Sequence, residues 1–276
     1  MYPALAPGAI GVSLPFEECA RLAAEAGFKG ISVDLGRDAN EVRCLLESNR
    51  LQPAAWGLPV EFRTDEDSFQ SGLPQLHQLA AKAHHIGADR CSTWILPFSD
   101  TLSFKDNYHL HQTRLRLCAE ILAEHGGRLG LEFVGPKTLR HGHKHEFLST
   151  MDGMLDLCQD IGTGNVGLLF DAFHWYTSHG AAEDISRLSD ALVVDVHIND
   201  GAVGRGPDEQ IDNERALPGE TGVIDLIAFL QGLQAIGYTG PVTPEPFSKK
   251  LRGLSPEEAI RATADALLGC WERAGV

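Results

Sequence analysis

Four short apolar segments in the second half of the chain carry ionisable residues where a buried strand would carry only aliphatic ones. GLEFVG holds Glu132 inside an apolar run, and VGLLFDAFHWY holds Asp171 and His174. LVVDVHIND alternates Asp195 and His197 with Val and Ile before Asp200, and GPVTPEPFS sets Glu245 between two prolines. A buried carboxylate is costly unless it is paired or bound to a metal. One acid in a strand reads as a rim residue or an ion-pair partner. Acids and a histidine on four successive strands, near the same end, would make a poor core. They read instead as three carboxylates and one imidazole converging on a divalent cation, the set being Glu132, Asp171, His197 and Glu245. Asp195 shares the strand face of His197 two residues deeper, which gives it a place in a buried network beneath the cation. His174 follows Asp171 by three residues, so its ring turns over the cation toward a bound molecule only if the strand has ended first.

The elements that must position these residues repeat eight times. A short apolar or β-branched run is followed by a segment of helical period, and the strands fall at 9–14, 30–36, 53–58, 88–95, 128–134, 166–174, 192–199 and 241–247. The helical stretches include 16–26, 39–49, 73–86, 108–125, 147–161 and 224–236, and Ser255-Pro256-Glu257-Glu258 opens a last helix. Glycines 27, 87, 162 and 237 read as helix C-caps feeding the next strand. This alternation means a parallel sheet, and eight units in 276 residues favour a closed α/β barrel, the (β/α)₈ or TIM barrel, as a single domain over 1–276. No G-x-G-x-x-G follows the first strand, as an open dinucleotide-binding sheet would have. The irregular stretches 62–70, 136–145 and 202–220 all follow strand C-terminal ends, the face on which barrel enzymes place their chemistry.

LEFVGP (131–136), NVGLLFDAFHWY (165–176), VHIND (196–200), ALPGETGVID (216–225) and PEPF (244–247) together resemble the xylose isomerase-like sugar isomerase and epimerase superfamily, and within it inosose isomerase and the ketose 3-epimerases. The resemblance covers most of the chain and is strongest from Leu131 to Phe247. It implies that Glu132, Asp171, His197 and Glu245 ligate one metal, that Glu132 and Glu245 are also the acid–base pair, and that His174 and Arg215 contact substrate. Pro218-Gly219-Glu220-Thr221-Gly222 has one residue more than the superfamily's usual turn, and the run from Arg140 to His145 falls outside its pattern. The implied chemistry is proton transfer beside the carbonyl of a keto-sugar or keto-cyclitol through a metal-stabilised enediolate, with one carboxylate removing the proton and another returning it. Mn²⁺ suits an oxygen-rich site with one imidazole, while Mg²⁺, Co²⁺ and Zn²⁺ stay open. Trp94, at the end of the fourth strand, is placed to stack on a sugar face. Glu61 and Arg63 read as solvated loop charges. Loss of a β-hydroxyl at the same site would make the chain a lyase, such as an inosose dehydratase or an enzyme eliminating from 3-keto glycosides. A nuclease of the endonuclease IV type shares the barrel but needs further histidines on the early strands, which are absent at their ends. A sugar-binding barrel without catalysis would not need both glutamates.

The formal net charge of −15 repels nucleic-acid phosphates, so the expected partner is a small carbohydrate or cyclitol, with a homo-oligomer left open. Six scattered cysteines without a C-x-x-C pair suit reduced thiols. The first residues read as neither signal peptide nor membrane span, so the expected location is cytoplasmic, with no membrane partner. His141, His143 and His145 alternate and could form a second metal site, although a solvated loop is the simpler reading. His84, His85, His109 and His111 fall in helical pattern and are expected on the surface.

Overall fold

The computed structural model describes residues 1–276. Its strands are β1 (Tyr2–Leu5), β2 (Gly30–Ile31), β3 (Gln52–Pro53), β4 (Trp56–Gly57), β5 (Arg90–Ile95), β6 (Phe98–Ser99), β7 (Arg128–Phe133), β8 (His145–Glu146), β9 (Val166–Asp171), β10 (Val193–Ile198) and β11 (Pro241–Pro244). Nine of them form one sheet in the order β3-β2-β1-β11-β10-β9-β7-β5-β4, with every pairing parallel. β3 and β4 are two ends of a single strand position interrupted at buried Ala54 and Ala55. One end pairs with β2 and the other with β5, so the sheet closes on itself with eight positions and is a TIM barrel. β6 and β8 form a separate antiparallel pair beyond the C-terminal ends of β5 and β7.

The expected first strand at 9–14 is not a strand. Pro7–Ile10 winds instead into a 3₁₀ turn that Gly11 stops at φ 74°. The strand lies earlier, where Tyr2 N donates to Gly240 O (3.0 Å) and Lys29 N donates to Pro3 O (2.8 Å). Pro3 brings no N–H to the ladder, which is tolerated near the start of a strand. β9 is shorter than expected because the Asp171 carboxylate caps the helix Ala172–Thr177, accepting from the N–H groups of Phe173 and His174. The strand therefore ends before His174. β2 and β11 also stop short of the expected 36 and 247, their continuations forming loops.

Apolar residues on the outer face of the barrel meet the helices. Phe170 of β9, for example, stacks on Phe229 of the helix Leu226–Ala235 at 5.1 Å. His84, His85 and His109 are exposed as expected, but His111 is buried at 3 %. Its Nδ1 bonds the Asn107 carbonyl at 2.8 Å, and its ring packs against Phe62 (5.5 Å) and Phe147 (5.0 Å). It lies on one helical stripe with the buried Leu115, Cys118 and Leu122, a spacing that places it inward. No helix is long and apolar enough to cross a membrane.

Candidate metal centre

Glu132 on β7, Asp171 closing β9, His197 on β10 and Glu245 just after β11 meet at the C-terminal mouth of the barrel. One donor atom from each lies within 4.8 Å of all the others. Register brings this about: His197 is level with Asp171 on one side and with Thr243, two residues before Glu245, on the other. Nδ1 of His197 is 3.5 Å from Glu132 Oε1 and 3.5 Å from Glu245 Oε2. Its Nε2 faces Asp195 Oδ2 at 3.7 Å. Asp195 is itself held by Ser92 Oγ (3.1 Å) and the Val196 N–H (2.9 Å), so it lies beneath His197 and directs the other ring nitrogen toward the glutamates.

Glu132 Oε1 and His197 Nδ1 are buried, face each other, and make no hydrogen bond. An orphaned buried polar atom costs about 1–3 kcal/mol and calls for an explanation. A cation between these atoms supplies one, and three carboxylates with one imidazole are the donors a divalent metal takes. The residues present thus fit such an ion.

Arg215 ties the cluster together. Its Nη1 lies 2.9 Å from Asp171 Oδ2 and 3.2 Å from Glu245 Oε2, while Nη2 lies 2.9 Å from Asp212 Oδ1 and 3.2 Å from His174 Nε2. The guanidinium sits between the Phe173 and Phe247 rings, at 4.6 and 4.8 Å, with 1 % of the side chain exposed. Its donors are already engaged by protein groups.

The two glutamates are held in opposite protonation environments. Burial pushes the Glu132 carboxyl up to about 8, reinforced by the negative charges of Glu245 and Asp171 and opposed by His197. Burial acts on Glu245 too, but His197 and Arg215 outweigh it and hold this carboxyl below its usual range. Asp171 is treated similarly: against burial, the charges of Arg215, His174 and His197 bring it to about 2. His197 is raised well above the ordinary imidazole range because Glu245, Glu132 and Asp195 together overcome its burial.

His174 sits in the helix that Asp171 caps, its Nδ1 receiving the Gly135 N–H at 3.3 Å. A Cβ on Gly135 would stand 2.5 Å from the His174 carbonyl oxygen and 2.6 Å from Thr177 Oγ1, so the close approach requires glycine. Trp94 is paired with Glu132 in the ladder, shares its barrel face, and is 47 % exposed. The Arg63 guanidinium lies over its ring at 4.3 Å and over Phe62 at 4.2 Å, and Arg63 also donates to the Trp94 carbonyl. With its side chain only 21 % exposed, Arg63 is a fixed part of the wall rather than the solvated loop charge the sequence suggested, while Glu61 beside it stays about half exposed at 48 %. In the His141–His145 loop, His143 stacks on Phe98 at 3.3 Å and bonds Asp100 at 2.9 Å, so its ring is already engaged.

Sequence reasoning missed four supporting residues. Asn199 is buried and donates to Asp171 at 3.2 Å, and Asp212 holds Arg215. Gly135 seats His174. Asp200 accepts from the N–H groups of Thr221 (3.0 Å), Gly222 (2.8 Å) and Ile224 (3.0 Å), closing the lengthened P-G-E-T-G turn, and its backbone bridges Ala216 next to Arg215. The polar I-N-D at the end of an apolar strand was the available signal for Asn199 and Asp200.

A closed eight-stranded barrel carrying a three-carboxylate, one-imidazole cluster at its C-terminal mouth defines a TIM-barrel protein with a candidate metal centre. The chain belongs to the xylose isomerase-like TIM barrel family, whose model matches residues 20–270. It is 31% identical over 150 residues to an inosose isomerase of Bacillus licheniformis, a match covering 53% of this chain and 50% of that one, so it spans half the length of this relative. Among solved structures it is similar to a xylose isomerase domain protein from Alicyclobacillus acidocaldarius, with TM-score 0.88, 29% identity and 99% of each chain covered. It shares the fold of the IOLI protein, solved with a bound zinc atom, at TM-score 0.83, 19% identity and 99% of each chain.

Proposed function

We propose that this chain is a divalent-metal-dependent isomerase or epimerase that moves a proton at the carbon beside the carbonyl of a keto-sugar or keto-cyclitol. The observation that carries this reading is the pair Glu132 and Glu245, both 3.5 Å from the same His197 nitrogen at the mouth of the barrel. Glu132, Asp171, His197 and Glu245 would hold the metal. When bound, it supplies positive charge beside the carbonyl oxygen and so eases proton loss from the neighbouring carbon. One glutamate takes that proton, leaving an enediolate, and the other returns one. Return to the opposite face inverts the carbon; return to the adjacent carbon moves the carbonyl. Arg215 fixes Glu245 and Asp171 for this work, and its engaged donors make it a positioning group. Trp94 would line the substrate with the face of its indole not covered by Arg63, whereas His174, buried with its ring nitrogens facing the Gly135 N–H and Arg215, would position Arg215 rather than meet a hydroxyl as the resemblance implied. The inosose isomerase relative supports a cyclitol or sugar substrate. Mn²⁺ is the first metal to test because the donors are oxygen-rich, and the zinc in the IOLI neighbour makes Zn²⁺ the second.

Proton NMR in D₂O tests this directly, with Mn²⁺-loaded protein on a panel of inososes, ketohexoses and 3-keto glycosides. The expected result is deuterium entering beside a carbonyl, abolished by EDTA and by Glu132→Gln or Glu245→Gln. Exchange surviving in both variants would remove the two glutamates from the mechanism. An unsaturated product would move the chain to the lyases.

A further inference from the structure

A second group of ligand-type side chains lies on the outer surface of the barrel, away from the mouth. His77 projects from the helix Glu66–Ile86, while Glu124 and His125 end the neighbouring helix Phe104–Glu124. One donor atom from each of the three lies within 4.8 Å of the others. His77 Nδ1 stands 3.6 Å from Glu124 Oε2, and the two imidazoles approach edge to face at 6.5 Å between centroids.

We propose that His77, Glu124 and His125 form a second metal site that takes Zn²⁺ and clamps the two helices together. Zinc bound tetrahedrally, with ligands at about 2.0–2.1 Å, holds its donor atoms about 3.4 Å apart, close to the His77–Glu124 separation. Two imidazole nitrogens and one carboxylate oxygen are a donor set zinc accepts, with water completing the four. The rings are free to serve: His85, His143 and His179 are each bonded to an Asn or Asp side chain, whereas His77 has beside it only the other two members of the cluster, Glu124 and the edge-on ring of His125. His77 and Glu124 are exposed, so rotation about their side-chain bonds closes the rest of the gap. The site also caps the C-terminal end of a 21-residue helix, where the helix dipole favours a cation. A softer, nitrogen-rich site here and an oxygen-rich one at the mouth would select different ions from the same solution.

Equilibrium dialysis of the full chain against ZnCl₂, followed by metal analysis, tests the site by difference. The double variant His77→Ala/His125→Ala should hold one Zn²⁺ fewer per chain than the parent, whatever the mouth of the barrel binds. This readout stands even if the proposed function fails. Glu124→Gln should weaken that same zinc by about tenfold or more, and excess Zn²⁺ should raise the Tm of the parent more than that of the double variant. Equal zinc content in parent and double variant, both shown folded by circular dichroism, would overturn the proposal. So would an equal rise in Tm.

Discussion

β1, β2, β3 and β4 are two to four residues long and end in Leu5, Ile31, Pro53 and Gly57, side chains without charge. β7, β9 and β10 run six residues each and deliver Glu132, Asp171 and His197. β11 is shorter, but its ladder continues through Glu245 N donating to Ile198 O at 3.2 Å. The early half of the barrel therefore supplies apolar packing and, through Trp94 and Arg63 beside β5, one wall of the mouth. The late half supplies the charge. Holding several buried carboxylates within a few ångströms demands rigid support, which six-residue strands paired on both sides supply, although the β7–β9 ladder stops at Leu131 and Leu168 and the β9–β10 register shifts between Val193 and Asp195. The difference is one of charge more than of pairing, since β5 also runs six residues, paired with β7 throughout, and brings the indole of Trp94 rather than a charge to the mouth.

The sharpest way to probe this contrast is to neutralise the late half. Glu132→Gln and Glu245→Gln should each lower kcat for proton exchange by about 10³-fold, as for loss of a general acid or base, with little change in the melting curve. Next comes the strut. Arg215→Ala leaves Asp171 and Glu245 buried without their cation and should destabilise the metal-free protein by about 3 kcal/mol in urea titrations, with divalent metal restoring part of the loss. Arg215→Lys should recover less than the full effect because one ammonium cannot reach four partners.

The early half should answer to pH rather than to metal. Burial lowers His111 to about 4 from an ordinary 6.5, with Arg63 and Arg114 adding to it. The unfolded chain takes up this proton below 6.5 and the folded chain does not until about 4, so stability falls as pH drops through that window. Unfolding free energies of the parent should lose about 2 kcal/mol more between pH 7 and pH 5 than those of His111→Gln. An equal pH dependence in the two would show that this histidine is not held neutral. The smallest effect belongs to the wall: Trp94→Ala should raise KM about threefold to tenfold, an indole contact of about 1 kcal/mol, with kcat largely kept.

How much of this was legible in the sequence follows the same division. The charged half announces itself, because acids inside aliphatic runs violate the rule for buried strands. Glu132, Asp171, His197 and Glu245 could be picked out, and the structure brings them together. The early half gives weaker signals. Pro3 disguised β1, and the apolar run after Pro7 and Gly8 imitated a strand although a proline start and a left-handed Gly11 make it a turn. His111 was misplaced because a polar residue on a helix is expected outside; only its spacing with Leu115 and Cys118 reveals the inner face. Asn199 and Asp200 support others rather than act at the centre; the I-N-D closing the strand hints at them, but their partners lie up to 28 positions away, so their roles do not follow from it, while Asp212 stands only three residues before the Arg215 it holds.

Four late strands are expected to hold one metal between Glu132, Asp171, His197 and Glu245. Anomalous scattering at the manganese edge from crystals soaked in MnCl₂ tests it most directly. A single strong peak among Glu132, Asp171, His197 and Glu245, absent in the His197→Ala variant, is the predicted result. No peak there, or a peak that persists without His197, would contradict it.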